Sequence, residues 1–293
     1  MGRDNVCGVD NRHEISEFLT SRRARVRPED SGLPAHDNRR RVPGLKREEV
    51  ALLAGVSVDY YARLERGHLG GVSASVLDAV ADALRLDDAE RQHLRDLADA
   101  AGVPERKLRT RTPKAPTLRP SVLALLAGMT GVPAYVRDSR ANILAANDLC
   151  LALYDGILTD LPLNLARFVF LDGRAHGFFL DWDEVADGTV GALRAEAGRN
   201  PMDKSLTDLI GELSARSHPF ATKWAQHNVR IHRTATKHLH NSVIGDIELT
   251  GDALDLAGDG LTIIAYTAHP GSAAEEKLAM LGSWQRSKAT TRI

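Results

Sequence analysis

The chain has 293 residues, 43% of them hydrophobic and 26% charged, with a formal net charge of −1. That length suggests two domains, the composition excludes a fully disordered chain, and no run approaches the roughly 18 apolar residues that span a bilayer. The N-terminus, Met1-Gly-Arg-Asp-Asn-Val-Cys-Gly, lacks the apolar stretch of a secretion signal, and two cysteines, Cys7 and Cys150, cannot build a disulfide framework. A cytoplasmic protein is expected.

The near-zero charge conceals segregation. Nine basic residues stand against three acidic ones between positions 20 and 47, a balance of +6. The helical signals begin beside this cluster. Residues 14–27 carry Ile15, Phe18, Leu19 and Val26, an apolar stripe for a first helix. Residues 28–43 read as a long loop containing Gly32, Pro34 and the Arg39-Arg40-Arg41 run. A second helix starts at Arg47, with Val50, Ala51 and Ala54 on one face and Glu48 and Glu49 in the first turn, where the helix dipole favours acids. Gly55 ends it. Ser57 caps a third helix over 58–66, Ser73 or Ser75 caps a fourth, and Asp87 caps a fifth with Leu94 and Leu97 inward. Two short helices joined by Gly55-Val56-Ser57 form the pattern of a helix-turn-helix: glycine permits the tight turn, small Ala51 lets the helices approach, and Val56 plugs the space between them. The alternative is an all-α interaction module with a charged surface.

A second basic run, Arg106, Lys107, Arg109, Arg111, Lys114 and Arg119, contains no acid and is interleaved with prolines, so 104–119 reads as a linker. Beyond it a helix starts at Pro120. Residues 134–137 and 141–146 form a hairpin around Asp138-Ser139-Arg140, and helical spacing follows at 148–153, 162–171, 182–196, 204–215 and 219–226. Alternation returns at 237–240, 247–250 and 261–266. Two strands, helices, then three strands is the order of a PAS-like sensor sheet with an enlarged helical insert.

Only three aromatic residues precede the linker and eleven follow it. Tyr154, Phe168, Phe170, Phe178, Phe179, Trp182 and Trp224 could line an apolar pocket, with Asn147, Asn164, Arg167, His227 and Arg230 as polar anchors. An arginine facing such a cavity suits a carboxylate. The competing readings are that these aromatics are core and that Arg167 is a structural ion-pair partner. His227, His232, His238 and His240 lie within 14 residues, but no cysteine, HExxH or HxE…CxxC accompanies them, so neither metal nor cofactor is expected. GxSxG, GxGxxG and GxxxxGK[ST] are absent, and no enzyme activity is expected.

Residues 44–57 followed by Tyr61-Ala-Arg-Leu64-Glu65-Arg66-Gly67 resemble the phage-repressor (XRE) type of helix-turn-helix. The longer stretch from Arg39 to Gly67, Asn164-Leu-Ala-Arg-Phe-Val-Phe-Leu-Asp172, Trp224-Ala-Gln-His227-Asn-Val-Arg230 and Tyr266-Thr-Ala-His-Pro-Gly271 are similar to the MmyB-like transcription regulators. The resemblance runs from about His13 to Leu281. It implies a DNA-binding regulator whose C-terminal PAS-like domain takes a small apolar, fatty-acid-like ligand.

Repressors of this type lay the second motif helix in the major groove with its N-terminal residues at base edges. The matching positions are Ser57, Val58, Asp59 and Arg63, with Tyr60 beside phosphate or sugar. Arg63 would pair with a guanine and Val58 with a thymine methyl, while Asp59 would accept from a cytosine or orient Arg63. Lys46 and Arg47 would meet phosphates, although relatives carry a glutamine where Arg47 stands. Arg39, Arg40 and Arg41 would add phosphate or minor-groove contacts, unless they form a solvated loop. Tyr61 and Glu65 read as structural.

The expected class is therefore α followed by α+β: a five-helix helix-turn-helix bundle, then a PAS-like antiparallel sheet with a helical insert. The boundaries are a tail (1–12), the DNA-binding domain (13–103), the linker (104–119), the ligand-binding domain (120–285) and a second tail (286–293). The expected partners are double-stranded DNA, a small apolar ligand and a second copy in a homodimer, with no membrane; the protein would sit on the bacterial nucleoid when bound. Alternatives are a DNA-localised acyl-binding enzyme and a protein-interaction module.

Overall fold

A computed structural model describes residues 11–32, 44–102, 118–229 and 234–291. They fall into two compact units. The first contains the described residues up to 102, together with Val190–Ser214 and 221–229; the second contains the remainder.

In the first unit, α1 (Asn11–Arg25) leads through a 3-10 turn (Pro28–Ser31) to α2 (Arg47–Leu53), α3 (Val58–Glu65), α4 (Ala74–Ala83) and α5 (Asp88–Gly102). The 3-10 turn lies inside the segment expected to be loop; Pro28 at its start and Gly32 at φ 70° after it account for its limits. The caps follow from side-chain chemistry. Ser57 Oγ accepts from Tyr60 N at 3.1 Å, and Ser73 Oγ, not Ser75, accepts from Val76 N at 3.4 Å. Asp87 accepts from Glu90 N at 2.9 Å while Glu90 accepts from Asp87 N at 3.1 Å, a reciprocal capping box. Gly55 turns the chain between α2 and α3 at φ 65°. Ile15, Phe18, Leu19, Leu45, Val50, Ala51, Tyr61, Leu64 and Leu94 form one buried core, so the helix-turn-helix is held by the face that its periodicity predicted.

The second unit is built on a six-stranded antiparallel sheet in the order β3-β2-β1-β6-β5-β4. Its strands are β1 (Ala134–Asp138), β2 (Asn142–Ala146), β3 (Leu163–Asn164), β4 (Thr234–Asn241), β5 (Gly245–Leu256) and β6 (Leu261–Thr267). The β1–β2 turn is closed by Asp138 Oδ1, which accepts from Arg140 N and Asn142 N at 2.9 Å each. β3 was not foreseen; two residues that pair with β2 leave no periodicity to read. Strand alternation sorts the two faces. Ala134, Val136, Leu261, Ile263 and Ala265 meet Val122 and Leu126 of α6 (Pro120–Gly128) on one face. Tyr135, Ile143, Leu249 and Tyr266 face the main core on the other. That core is completed by α7 (Asp148–Leu153), α8 (Leu165–Leu171), α9 (Ala175–Phe178) and, through Leu278 and Leu281, α13 (Ala273–Thr291).

The insert comprises α10 (Trp182–Arg199), α11 (Lys204–Arg216) and α12 (His218–Ala225). By its contacts, the division between the compact units falls after Thr189, inside α10. Val190–Ser214 and 221–229 pack with the N-terminal helices, and Ala195 and Val229 are buried in their core. Periodicity identifies a helix but not the body against which its apolar face is buried.

Candidate DNA-reading and ligand-binding sites

The motif exposes one end of α3 and anchors the other. Ser57, Val58, Asp59 and Arg63 are exposed, Val58 at 44%, and Tyr60 is half-buried. Tyr61 and Leu64 hold the opposite face in the core. Glu65, 1% exposed, fixes the helix. Arg23 of α1 donates to it from Nε at 3.0 Å and Nη2 at 2.8 Å, Thr20 at 3.0 Å, and Arg47 of α2 from Nη2 at 3.1 Å. Burial alone would push the Glu65 carboxyl up; the hydrogen bonds from Arg23 and Arg47 outweigh it and hold the group below the usual carboxylate range. One buried carboxylate thus ties α1, α2 and α3 together, as the structural reading of Glu65 anticipated.

Arg47 keeps half of its side chain exposed while paired with Glu65, so any phosphate it meets shares a guanidinium already oriented by a carboxylate. Lys46 is exposed, and its backbone N–H donates to Glu49 at 2.6 Å. The Arg39-Arg40-Arg41 run lies outside the described residues.

In the second unit Tyr154, Phe168, Phe178 and Phe179 are buried together, and Tyr154 also meets Tyr135 and Tyr266. The Tyr154 and Tyr266 hydroxyls are 3.0 Å apart. Burial raises the phenols of Tyr135, Tyr154 and Tyr266, so they stay neutral. Phe170 packs on Phe220 at 5.0 Å and on Trp182 at 5.8 Å, and Trp182 Nε1 donates to the Val169 carbonyl at 2.9 Å. These six expected pocket residues therefore gather in one region of the sheet domain.

The expected anchors divide. Asn147 caps α7: its oxygen accepts from Ala134 N and Cys150 N, and its amide donates to the Met129 and Val132 carbonyls, which fills all four of its hydrogen-bonding positions with backbone. Asn164 caps α8 by accepting from Arg167 N at 3.0 Å. Arg167 is exposed. Trp224 and His227 belong to the first unit and sit against Arg194 of α10, with the guanidinium 4.1 Å from the Trp224 ring centre. Arg230 lies outside the described residues. A cleft of about 340 Å3 in the second unit is lined by Asp246, Glu248, His269 and Lys277 among others, none of them an expected ligand residue.

An exposed helix start held by a buried carboxylate in the first unit, and an aromatic core in the second, are the two candidate sites. Comparison with known families agrees: residues 14–94 match the helix-turn-helix domain family, and residues 118–281 match the MmyB-like transcription regulator ligand binding domain. The chain belongs to the MmyB-like transcription regulators. No curated protein matches it. Both matched families are regulatory rather than enzymatic. Among the described residues no helix is long and apolar enough to cross a membrane, and no group of three or more His, Cys, Asp or Glu side chains could hold a metal ion.

Proposed function

We propose that the protein is a one-component, cytoplasmic regulator that reads one DNA half-site per chain as a homodimer. Ser57, Val58, Asp59 and Arg63 would meet base edges, Tyr60, Lys46 and Arg47 the backbone, and Arg39, Arg40 and Arg41 flanking phosphates or the minor groove. The observation that carries this reading is the exposed start of α3 on a helix whose other face is fixed by Tyr61, Leu64 and Glu65. Arg63→Ala should cost about 1–3 kcal/mol at a single base pair and leave other positions unchanged. Fluorescence anisotropy on singly substituted duplexes checks this, and an equal loss on every sequence would remove Arg63 from base reading.

The sheet domain is PAS-like in this reading and takes a small apolar, fatty-acid-like ligand among Tyr154, Phe168, Phe170, Phe179 and Trp182, with Arg167 as the candidate polar contact, because both amide N–H donors of Asn164 are taken by the Arg140 carbonyl and Asn142 Oδ1. The strand order, with β1 and β6 central, and the gathering of aromatics on one face support it. Asn147 drops out because its amide is fully engaged, and Trp224 and His227 because they pack in the other unit. Denaturing extraction followed by mass spectrometry tests the ligand: a bound acyl chain of fixed mass is expected, and an empty extract from protein purified directly from cells would count against it.

A further inference from the structure

Two residues of α1, Thr20 and Arg23, donate to Glu65 and so hold α3. At about 100° per residue these side chains leave α1 on the side opposite Glu14, Glu17 and Arg22. That opposite side is engaged by residues distant in sequence that belong to the same unit. Fully buried Arg194 bonds the Glu14 carboxylate and the Trp224 carbonyl, and its guanidinium is 3.0 Å from His227 Nδ1. His227 Nε2 lies 3.1 Å from a Glu17 carboxylate oxygen, and the His227 carbonyl accepts from Arg22. Arg22, 2% exposed, pairs in turn with Glu90 of α5 at 3.0 Å.

The turn that presents His227 is specific. Its φ of 53° is left-handed, a conformation that few non-glycine residues adopt and in which histidine is enriched. There the carbonyl and both ring nitrogens meet three different side chains: Arg22, Glu17 and Arg194. Apolar packing of the kind that Ala195 and Val229 supply in the same core would be enough to cover α1. Buried charges lose hydration and recover it only where their partners meet them in good geometry. These contacts therefore fix where α1 lies, not merely that it is covered. The stretch from Trp224 to His227, expected in a ligand pocket, serves the unit that carries the helix-turn-helix.

We propose that His227 and Arg194 are positioning residues for DNA reading: they clamp α1, and α1 through Glu65 holds the exposed start of α3. This rests on the reading of α3 as the DNA-facing helix and concerns the first unit alone. The test compares the full chain as wild type, His227→Gly, Glu14→Gln and the double variant. His227→Gly keeps the left-handed turn and the carbonyl that Arg22 bonds, and removes only the ring. Glu14→Gln keeps the shape and removes the charge that Arg194 bonds. At a temperature where circular dichroism shows the variants folded, each should raise hydrogen–deuterium exchange in α3 several-fold. Each should also lower the preference for the duplex that wild type enriches from a random pool, over a scrambled one, by about tenfold, the scale of one lost base contact. Affinity for the scrambled duplex should stay at the wild-type value, because phosphate contacts carry no sequence information. The double variant should do no more than the stronger single one, because both act through Arg194 and α1. Unchanged preference in the folded variants overturns the proposal, since a purely stabilising role would lower only the melting midpoint. Additive losses overturn the shared clamp. If His227→Gly does not fold, His227→Asn replaces it, since asparagine also accepts the left-handed turn. If wild type itself enriches no duplex, the reading of α3 fails, and exchange decides the clamp: a rise in α3 in both variants upholds it, and wild-type exchange overturns it.

Discussion

The two units are held by different chemistry. Around its apolar core the helix-turn-helix unit adds buried ion pairs: Glu65 with Arg23 and Arg47, Arg22 with Glu90 at 3.0 Å, and Glu14 with Arg194. The sheet domain relies on aromatic burial, with Tyr135, Tyr154, Phe168, Phe178, Phe179 and Tyr266 in one core. Ion pairs are directional and fix a helix at one angle, which suits a surface that must match a DNA groove. Aromatic side chains bury large apolar areas, the same residue types that predominate in apolar ligand sites.

The largest expected effect breaks the aromatic side. Phe168→Ala removes a buried ring that touches Phe178 and Phe179 and should destabilise the sheet domain by about 3–5 kcal/mol. Urea unfolding followed by near-ultraviolet circular dichroism measures it; a change below about 1 kcal/mol would mean the cluster is loosely packed. On the charged side, Glu65→Ala leaves Arg23 and Arg47 without their shared carboxylate and should cost about 3 kcal/mol in the first unit. Helical signal in thermal melts checks this, and a neutral result would make the Glu65 network incidental.

Acidification acts with opposite sign on the two units. Burial lowers the His93 pKa in the first unit, against the opposing pull of Glu14. Below its ordinary value of 6.5 the unfolded chain takes up a proton that the buried ring refuses, so stability falls as pH drops, by at most about 1.4 kcal/mol per pH unit. Glu14, held down at about 2 because His93 and Arg194 outweigh its desolvation, keeps its contribution until far lower pH. His238 in the sheet domain is raised by Asp181 and Glu248, so its small surface contribution is present at low pH and lost as pH rises through the raised value. Melting between pH 5.5 and 7.5 should therefore lower the midpoint of the first unit on the acid side, and His93→Gln should flatten that slope. An unchanged slope in the variant would assign the effect elsewhere.

The helix-turn-helix was legible because its signals are local: Gly55 for the turn, Ser57 for the cap, and Val50, Ala51 and Tyr61 for the buried face. Most of the strands were legible from alternation, apart from β3. The aromatic gathering of Tyr154, Phe168, Phe170, Phe179 and Trp182 was also anticipated, as residues that could line a pocket. The placement of Trp224 and His227 was not, because spacing shows which residues share a helix face but not which body receives it. Arg194 and Glu14, separated by 180 positions, carry no local pattern that would pair them. Asn147 looked like a free polar anchor and proved to be a cap, a distinction that depends on where the Ala134, Met129 and Val132 backbone groups arrive in space.

In the proposed function the exposed start of α3 reads DNA sequence. Selection of duplexes from a random pool by the full chain, read by sequencing, tests it most directly. Enrichment of a defined site is expected, symmetric if two copies bind, with loss of preference at a single base pair in each half-site for Arg63→Ala. Recovery of the unenriched input by natively folded protein would contradict it.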